Sequence, residues 1–182
     1  MNGETLDAAA KASVRKPLRP EPLIAILMKH EVDLIVVGGY AVAAHGFPRA
    51  TKDIDICPEP SDENLERLAN ALAELEAIPI GLDELKGEFD LEPNRDGLKM
   101  GGNWTLLTKY GRLDVLQTFS FDEADEGEGD HRDLARHSVK RTFLGHQVKF
   151  CSYDDLIRMK KAAGRAQDMV DVESLRVARG DL

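Results

Sequence analysis

Two cysteines, Cys57 and Cys151, are too few to staple a chain of 182 residues. The fold must therefore rest on a hydrophobic core, in a reducing, cytoplasmic setting. Aromatic residues are also scarce, with one Trp, three Tyr and six Phe, yet 42% of the chain is hydrophobic and 31% charged. That is the composition of an ordinary soluble globular protein, neither fibrous nor disordered. No apolar run approaches the ~18 residues of a membrane span, and no membrane partner is expected. The first residues, MNGETLDAAAKASVRKPLRPEP, lack a charged segment feeding an apolar stretch, so they read as a polar, loosely ordered lead-in over 1–21 and not as a signal peptide. Neither a repeat nor a dividing linker is visible, and residues 22–182 read as one domain with a helical tail. The five histidines and two cysteines show no zinc spacing.

Positive charge is in deficit too, the formal balance being −9, which argues against a surface that is wholly a trap for polyanions. The average hides an asymmetry. Between His131 and Arg165 nine Lys or Arg face three Asp or Glu, so this stretch can face phosphates, although any single member is more simply a solvated charge.

Hydrophobic periodicity outlines an α/β chain of the α+β type. Leu23, Ile24, Leu27 and Met28 recur at helical spacing over 22–30. Residues 33–37 are then a continuous β-branched apolar run, a strand buried on both faces. Gly38-Gly39 closes it, and the Ala-rich 40–45 opens a helix. Asp53-Ile54-Asp55-Ile56-Cys57 alternates with the period of a strand. Leu65, Leu68, Leu72 and Leu75 form a helical stripe, with Ser61 or Asp62 available as N-cap. Residues 79–102 carry no clear pattern. Residues 104–109 and 112–119 predict a hairpin across Tyr110-Gly111. The six carboxylates between Asp122 and Asp130 predict an exposed loop without calcium-loop spacing. A short helix over 130–137 precedes a second hairpin, 139–144 and 146–150, turning at Gly145. Two helices follow, 152–163 capped by Ser152 and 165–179, divided at Gly164.

Chemistry is concentrated in one stretch. Asp53 and Asp55, one residue apart on a strand, point to the same face. A bare Asp-x-Asp is more often an edge strand with one solvated face. Side by side in water-poor surroundings, however, like charges repel, and a divalent cation between them removes that cost. Oxygen-only ligands favour magnesium or manganese. The strand ending in Gly38-Gly39 directs backbone N–H groups at whatever lies over the turn, which suits phosphate oxygens. Thirteen residues separate Gly39 from Asp53, which brings phosphate cradle and metal ligands onto neighbouring strands. Asp114, in Arg112-Leu113-Asp114-Val115-Leu116, is an acid on an apolar strand that must find a crevice or a partner. That partner is either the carboxylate pair, through a shared ion, or Arg112.

The segment VVGGYAVAAHGFPRATKDIDI resembles the signature of the DNA polymerase beta-type nucleotidyltransferase superfamily: a glycine turn, a spacer, Asp-apolar-Asp-apolar, and a third carboxylate on a later strand. Gly38 and Gly39 match the turn, Asp53 and Asp55 the metal pair, Asp114 the third acid. The tail, SYDDLIRMKKAAGRAQDMVDVESL, is similar to that of small bacterial members, including AbiEii-type toxins and their stand-alone relatives. Together the matches cover most of residues 33–175, leaving 79–102 unaligned. The resemblance implies a minimal nucleotidyltransferase fold: a short mixed sheet flanked by helices, binding a nucleoside triphosphate at the glycine turn. Two departures stand out. Gly39 replaces a common serine, so backbone donors must hold phosphate without that hydroxyl. The spacer is long, and its Arg49, Thr51 and Lys52 either approach the triphosphate or simply shape the loop.

In the tail, Lys160 has Leu156, Ile157, Ala163 and Gly164 as helical neighbours, so its stem lies on the packing stripe. Its ammonium needs an anion there, a nucleotide phosphate or an active-site carboxylate, unless it snorkels to solvent. The resemblance matches Lys160, Arg165 and Asp168 to a lysine, an arginine and an aspartate of the family tail. Arg165 can clamp phosphate bidentately and Asp168 orient it. His45 is a weaker candidate, being more simply a helix-ending histidine favoured by the dipole. Cys57 shares its strand face with Asp53 and Asp55 but most simply packs in the core.

The expected activity is metal-dependent transfer of a nucleotidyl group, with Asp53, Asp55 and Asp114 holding metal and Lys160 and Arg165 balancing phosphate charge. The acceptor is left open among a protein side chain, a tRNA end and a small hydroxylated molecule such as an aminoglycoside. A toxin or antitoxin partner protein fits the tail resemblance. The rivals are a non-catalytic nucleotide-binding or antitoxin partner, which has no need of three carboxylates, and a metal-dependent nuclease, which has no need of the glycine turn.

Overall fold

A computed structural model describes residues 17–80, 92–121 and 128–180. Among these residues no helix is long and apolar enough to cross a membrane. The elements run α1 (Pro20–Lys29), β1 (Leu34–Val37), α2 (Gly38–Ala44), β2 (Asp53–Pro58), α3 (Asp62–Glu74), β3 (Ile78–Pro79), α4 (Arg95–Lys99), β4 (Trp104–Thr108), β5 (Gly111–Val115), β6 (Phe119–Ser120), β7 (Glu128–Gly129), α5 (His131–Ala135), β8 (Val139–Phe143), β9 (His146–Phe150), α6 (Tyr153–Ala163) and α7 (Ala166–Arg179).

Seven strands form one mixed sheet in the order β3-β4-β5-β2-β1-β9-β8. β1 is antiparallel to β2, whereas β2–β5 and β1–β9 are parallel. This is the mixed α/β architecture expected from the periodicity. All four residues of β1 are buried, as its unbroken apolar run requires. On β2 and β5 the residues Ile54, Ile56, Leu113 and Val115 are fully buried, in one core with Leu23, Ile24 and Leu27 of α1 and Leu65, Leu68 and Leu72 of α3. The opposite face of β2 is left for Asp53 and Asp55.

Several expectations are corrected. α1 starts at Pro20, whose fixed φ suits the first helical turn. The lead-in is thus shorter than predicted, and residues 1–16 lie outside the described residues. α2 begins at Gly38 itself, because Gly38 at φ +61° turns the chain directly from strand into helix. The strand predicted to run to 119 ends at Val115: the Asn103 carboxamide oxygen accepts from the Gln117 and Thr118 N–H groups at 2.9 and 3.2 Å and diverts the chain from the ladder. Within the patternless 79–102, β3 and α4 form, while 81–91 lie outside the described residues. Residues 122–127 of the acidic stretch also lie outside them, but Glu128–Gly129 pairs with β6 and Asp130 caps α5, so the predicted loop is shorter. The tail agrees: Ser152 accepts from the Asp155 N–H, and Gly164 at φ +62° ends α6.

Candidate active site

The register of β2 against β5 sets Asp55 beside Asp114 and Asp53 beside Arg112. Side chains of in-register parallel neighbours share a face, so three carboxylates and one guanidinium form a single row. They open into a cleft of about 630 Å³ walled by the Gly38-Gly39 turn, residues 49–52, the chain after Asp114, and α6 with the start of α7. The crowding shifts the ionisation of the acids. Burial, then the neighbouring Asp53 and Asp114 charges, push the Asp55 carboxyl up to about 6, although Lys160 and a hydrogen bond from the Gly39 N–H pull it down. Burial also raises Asp114, against the opposing pull of Arg112 and of the Thr105 hydroxyl on the paired strand β4.

Asp114 was expected to find either the carboxylate pair or Arg112. It meets both. Arg112 Nη2 donates to its Oδ2 at 3.2 Å, while Oδ1 is buried and without a hydrogen-bond partner among the described residues. No three acidic, histidine or cysteine side chains among the described residues stand close enough to make a finished metal cage. The donor set nevertheless fits a hard divalent cation: it consists of oxygens, one of them buried and unpartnered, whose mutual repulsion such an ion relieves.

The glycine turn is shaped by what lies against it. A Cβ on Gly38 would stand 1.9 Å from Asp55 Oδ2, so only glycine lets this carboxylate close on the turn. A Cβ on Gly39 would stand 2.7 Å from Thr51 Oγ1. The space that a serine would need at residue 39 is thus filled by the hydroxyl of Thr51, which donates toward Asp53 Oδ1 at 3.2 Å. A hydroxyl is therefore present beside the turn, brought by a different residue.

In the tail the anion beside Lys160 is a pair of carboxylates. Lys160 does not snorkel: its side chain is 7% exposed, and its ammonium lies 2.8 Å from Asp168 Oδ1 and 2.7 Å from Asp171 Oδ2. Arg49, considered for the triphosphate, instead makes a two-pronged ion pair with Asp171, Nε to Oδ1 at 2.7 Å and Nη2 to Oδ2 at 2.8 Å. Gln167 adds a third contact to Asp171. Asp168 also accepts from Arg165 Nε at 2.7 Å, which leaves most of that guanidinium exposed to the cleft. Burial alone would raise both acids. Hydrogen bonds from Lys160 and Arg165 to Asp168, and from Arg49, Lys160 and Gln167 to Asp171, outweigh it and hold both carboxyls below their usual range.

Asp171 was missed by sequence reasoning. Its signal is its place on a buried face of α7 with Asp168, Val172 and Leu175. An acid at such a position requires a buried cation. The apolar wall of Leu116, Phe119, Leu156 and Met159 was also missed. His45 is structural, its Nε2 lying 2.8 Å from the Cys151 carbonyl oxygen. Cys57 is wholly buried, and burial pushes its thiol up to about 12, so it packs in the core and offers no nucleophile.

No family model matches the chain, and no curated protein matches its sequence. Solved structures do match. The lincosamide antibiotic adenylyltransferase LnuA, solved with lincomycin bound, aligns with TM-score 0.57 at 14% identity, over 88% of this chain and 98% of its own. The fold is that of the nucleotidyltransferases. The antibiotic-resistance factor ANT(2'')-Ia aligns with TM-score 0.52 at 17% identity, over 87% of this chain and 80% of its own. A Thermotoga maritima protein assigned to the nucleotidyltransferases gives TM-score 0.50 at 15% identity, over 92% and 98%. At such identities the likeness is one of nucleotidyltransferase fold alone.

Proposed function

We propose that this chain is a metal-dependent nucleotidyltransferase, moving a nucleoside monophosphate from a nucleoside triphosphate to an acceptor hydroxyl. The observation that carries this reading is the row of Asp53, Asp55 and Asp114 beside the Gly38-Gly39 turn, at the floor of one cleft. Asp53, Asp55 and Asp114 would hold magnesium or manganese, which supplies charge neutralisation and polarises phosphate oxygens. Lys160, already near Asp55, and the exposed face of Arg165 supply positive charge over the carboxylate row. Asp114, paired with Arg112 through Oδ2 and with the Thr105 hydroxyl close by, takes the proton of the acceptor hydroxyl on its buried Oδ1. The acceptor oxygen bonds to the α-phosphorus as the bond to the bridging oxygen breaks, and pyrophosphate leaves.

The binding of ATP or another triphosphate at the turn is part of this reading, as is a place among AbiEii-type toxin nucleotidyltransferases or their stand-alone relatives in the cytoplasm. The tail supports the latter, since Lys160, Arg165 and Asp168 interlock. The test is incubation of the protein with each α-³²P nucleoside triphosphate, magnesium and cell lysate. Label enters one class of acceptor and is abolished by EDTA and by Asp53→Asn. Undiminished transfer by Asp53→Asn contradicts the reading.

A further inference from the structure

The cleft has two sides, separated by Asp53 and Asp55 on β2. On the β1 side lies the glycine turn. On the β5 side, one strand further from that turn, lies Arg112 with Asp114. Two polar atoms here are buried without a hydrogen-bond partner among the described residues: Asp114 Oδ1 and Arg112 Nε. Leaving such groups unpaired is costly. One is an acceptor that calls for a hydroxyl proton, the other a donor that calls for an anion. They belong to side chains already joined, Nη2 to Oδ2 at 3.2 Å. The Arg112 side chain remains 39% exposed, so a ligand can reach it. Lys52 adds a second positive charge to the cleft, and Leu116 and Phe119 add apolar surface on the β5 side.

We propose that Arg112 selects the acceptor, and that the acceptor carries a phosphate a few bonds from its reacting hydroxyl. The hydroxyl donates to Asp114 Oδ1 while the phosphate accepts from Arg112, so one ligand completes both unpaired atoms. A guanidinium matches the paired oxygens of a phosphate, and it repels the polycation that an aminoglycoside is. This inference rests on the nucleotidyltransferase reading. Its transfer step is the one given above: the hydroxyl proton passes to Asp114, the new bond forms at the α-phosphorus, and pyrophosphate leaves.

The experiment uses the full chain and separates binding from turnover. Calorimetry without nucleotide compares a short RNA with a free 3′-hydroxyl, ribose 5-phosphate, ribose and an aminoglycoside. Wild type, Arg112→Gln and Arg112→Lys are measured, each checked for a native melting transition. The expected result is binding of at least one phosphate-bearing probe, weakened about tenfold or more by Arg112→Gln and partly recovered in Arg112→Lys. The RNA and ribose 5-phosphate arms distinguish a nucleic-acid end from a phosphorylated small molecule. Transfer assays then show the KM for the acceptor rising in Arg112→Gln while that for the triphosphate stays constant. Binding of ribose or the aminoglycoside at least as tight as the phosphate probes overturns the proposal. So does failure of both phosphate probes to bind, or a rise in KM for the triphosphate instead. If no triphosphate is turned over but phosphate binding still depends on Arg112, the transferase reading fails and the anion site stands.

Discussion

Asp55→Asn separates the demands of folding from those of chemistry. Burial and the charges of Asp53 and Asp114 raise this carboxyl from 3.8 to about 6 in the folded protein. The folded state therefore binds the proton more tightly than the unfolded chain. Stability of the unliganded protein falls as pH climbs from about 4 to about 6, and above that the full penalty of roughly 3 kcal/mol persists. Asparagine removes the charge but keeps an oxygen to accept from the Gly39 N–H. Urea unfolding in EDTA near pH 8 should find the variant about 2–3 kcal/mol more stable than wild type, with a melting temperature ~5–10 °C higher. Near pH 4.5 the gap should shrink to about 1 kcal/mol. Magnesium should stabilise wild type more than the variant, and nucleotidyl transfer by the variant should fall by at least about a hundredfold. A variant equal to or weaker than wild type at the higher pH would refute the argument that this carboxylate is held in place against its own repulsion.

Other changes test the remaining parts. Lys160→Met leaves Asp168 and Asp171 buried without their shared ammonium and should cost about 3–5 kcal/mol by denaturant titration. Both acids are held low in the fold, so their contribution is present above the unfolded value of 3.8 and lost as pH falls through the lower folded values. The acid limb of the wild-type stability curve should therefore flatten in this variant. Gly39→Ser places a Cβ against Thr51 and should lower kcat/KM, whereas Gly39→Ser with Thr51→Ala should recover part of the loss, a coupling of about 1 kcal/mol in a double-mutant cycle. Additive losses would mean that the two positions do not share that space. Leu68→Ala, in the core and away from the cleft, should destabilise by about 2–5 kcal/mol and leave the KM for nucleotide unchanged below the melting transition.

What was legible in the sequence was written locally. The apolar run of β1, the alternation of β2, the stripe of α3 and the glycine dividing α6 from α7 are each decided within a few residues. The carboxylate row was legible because Asp53, Asp55 and Asp114 each lie on a strand whose pattern is clear. Only the β2–β5 register, which no local pattern encodes, brings them together. The same limit explains what local reading left open or misplaced. Arg49 was left open between the triphosphate and the loop because its ion-pair partner, Asp171, lies 122 residues away. The missing serine at residue 39 read as a lost hydroxyl because the approach of Thr51 is a tertiary fact. The end of β5 was misplaced because Asn103, on a different strand's approach, takes the N–H groups that would have continued it.

The pairing of Arg49 with Asp171 also sets an order of events during synthesis. The loop that feeds the acidic strand emerges long before the helix carrying its counter-ion, and at ribosomal speed those 122 residues take about ten seconds. Through that interval β5, α6 and Lys160 are still being added, so the cleft has no far walls. The cleft is therefore completed late, when α7 docks and Asp171 clamps Arg49 and Lys160 together.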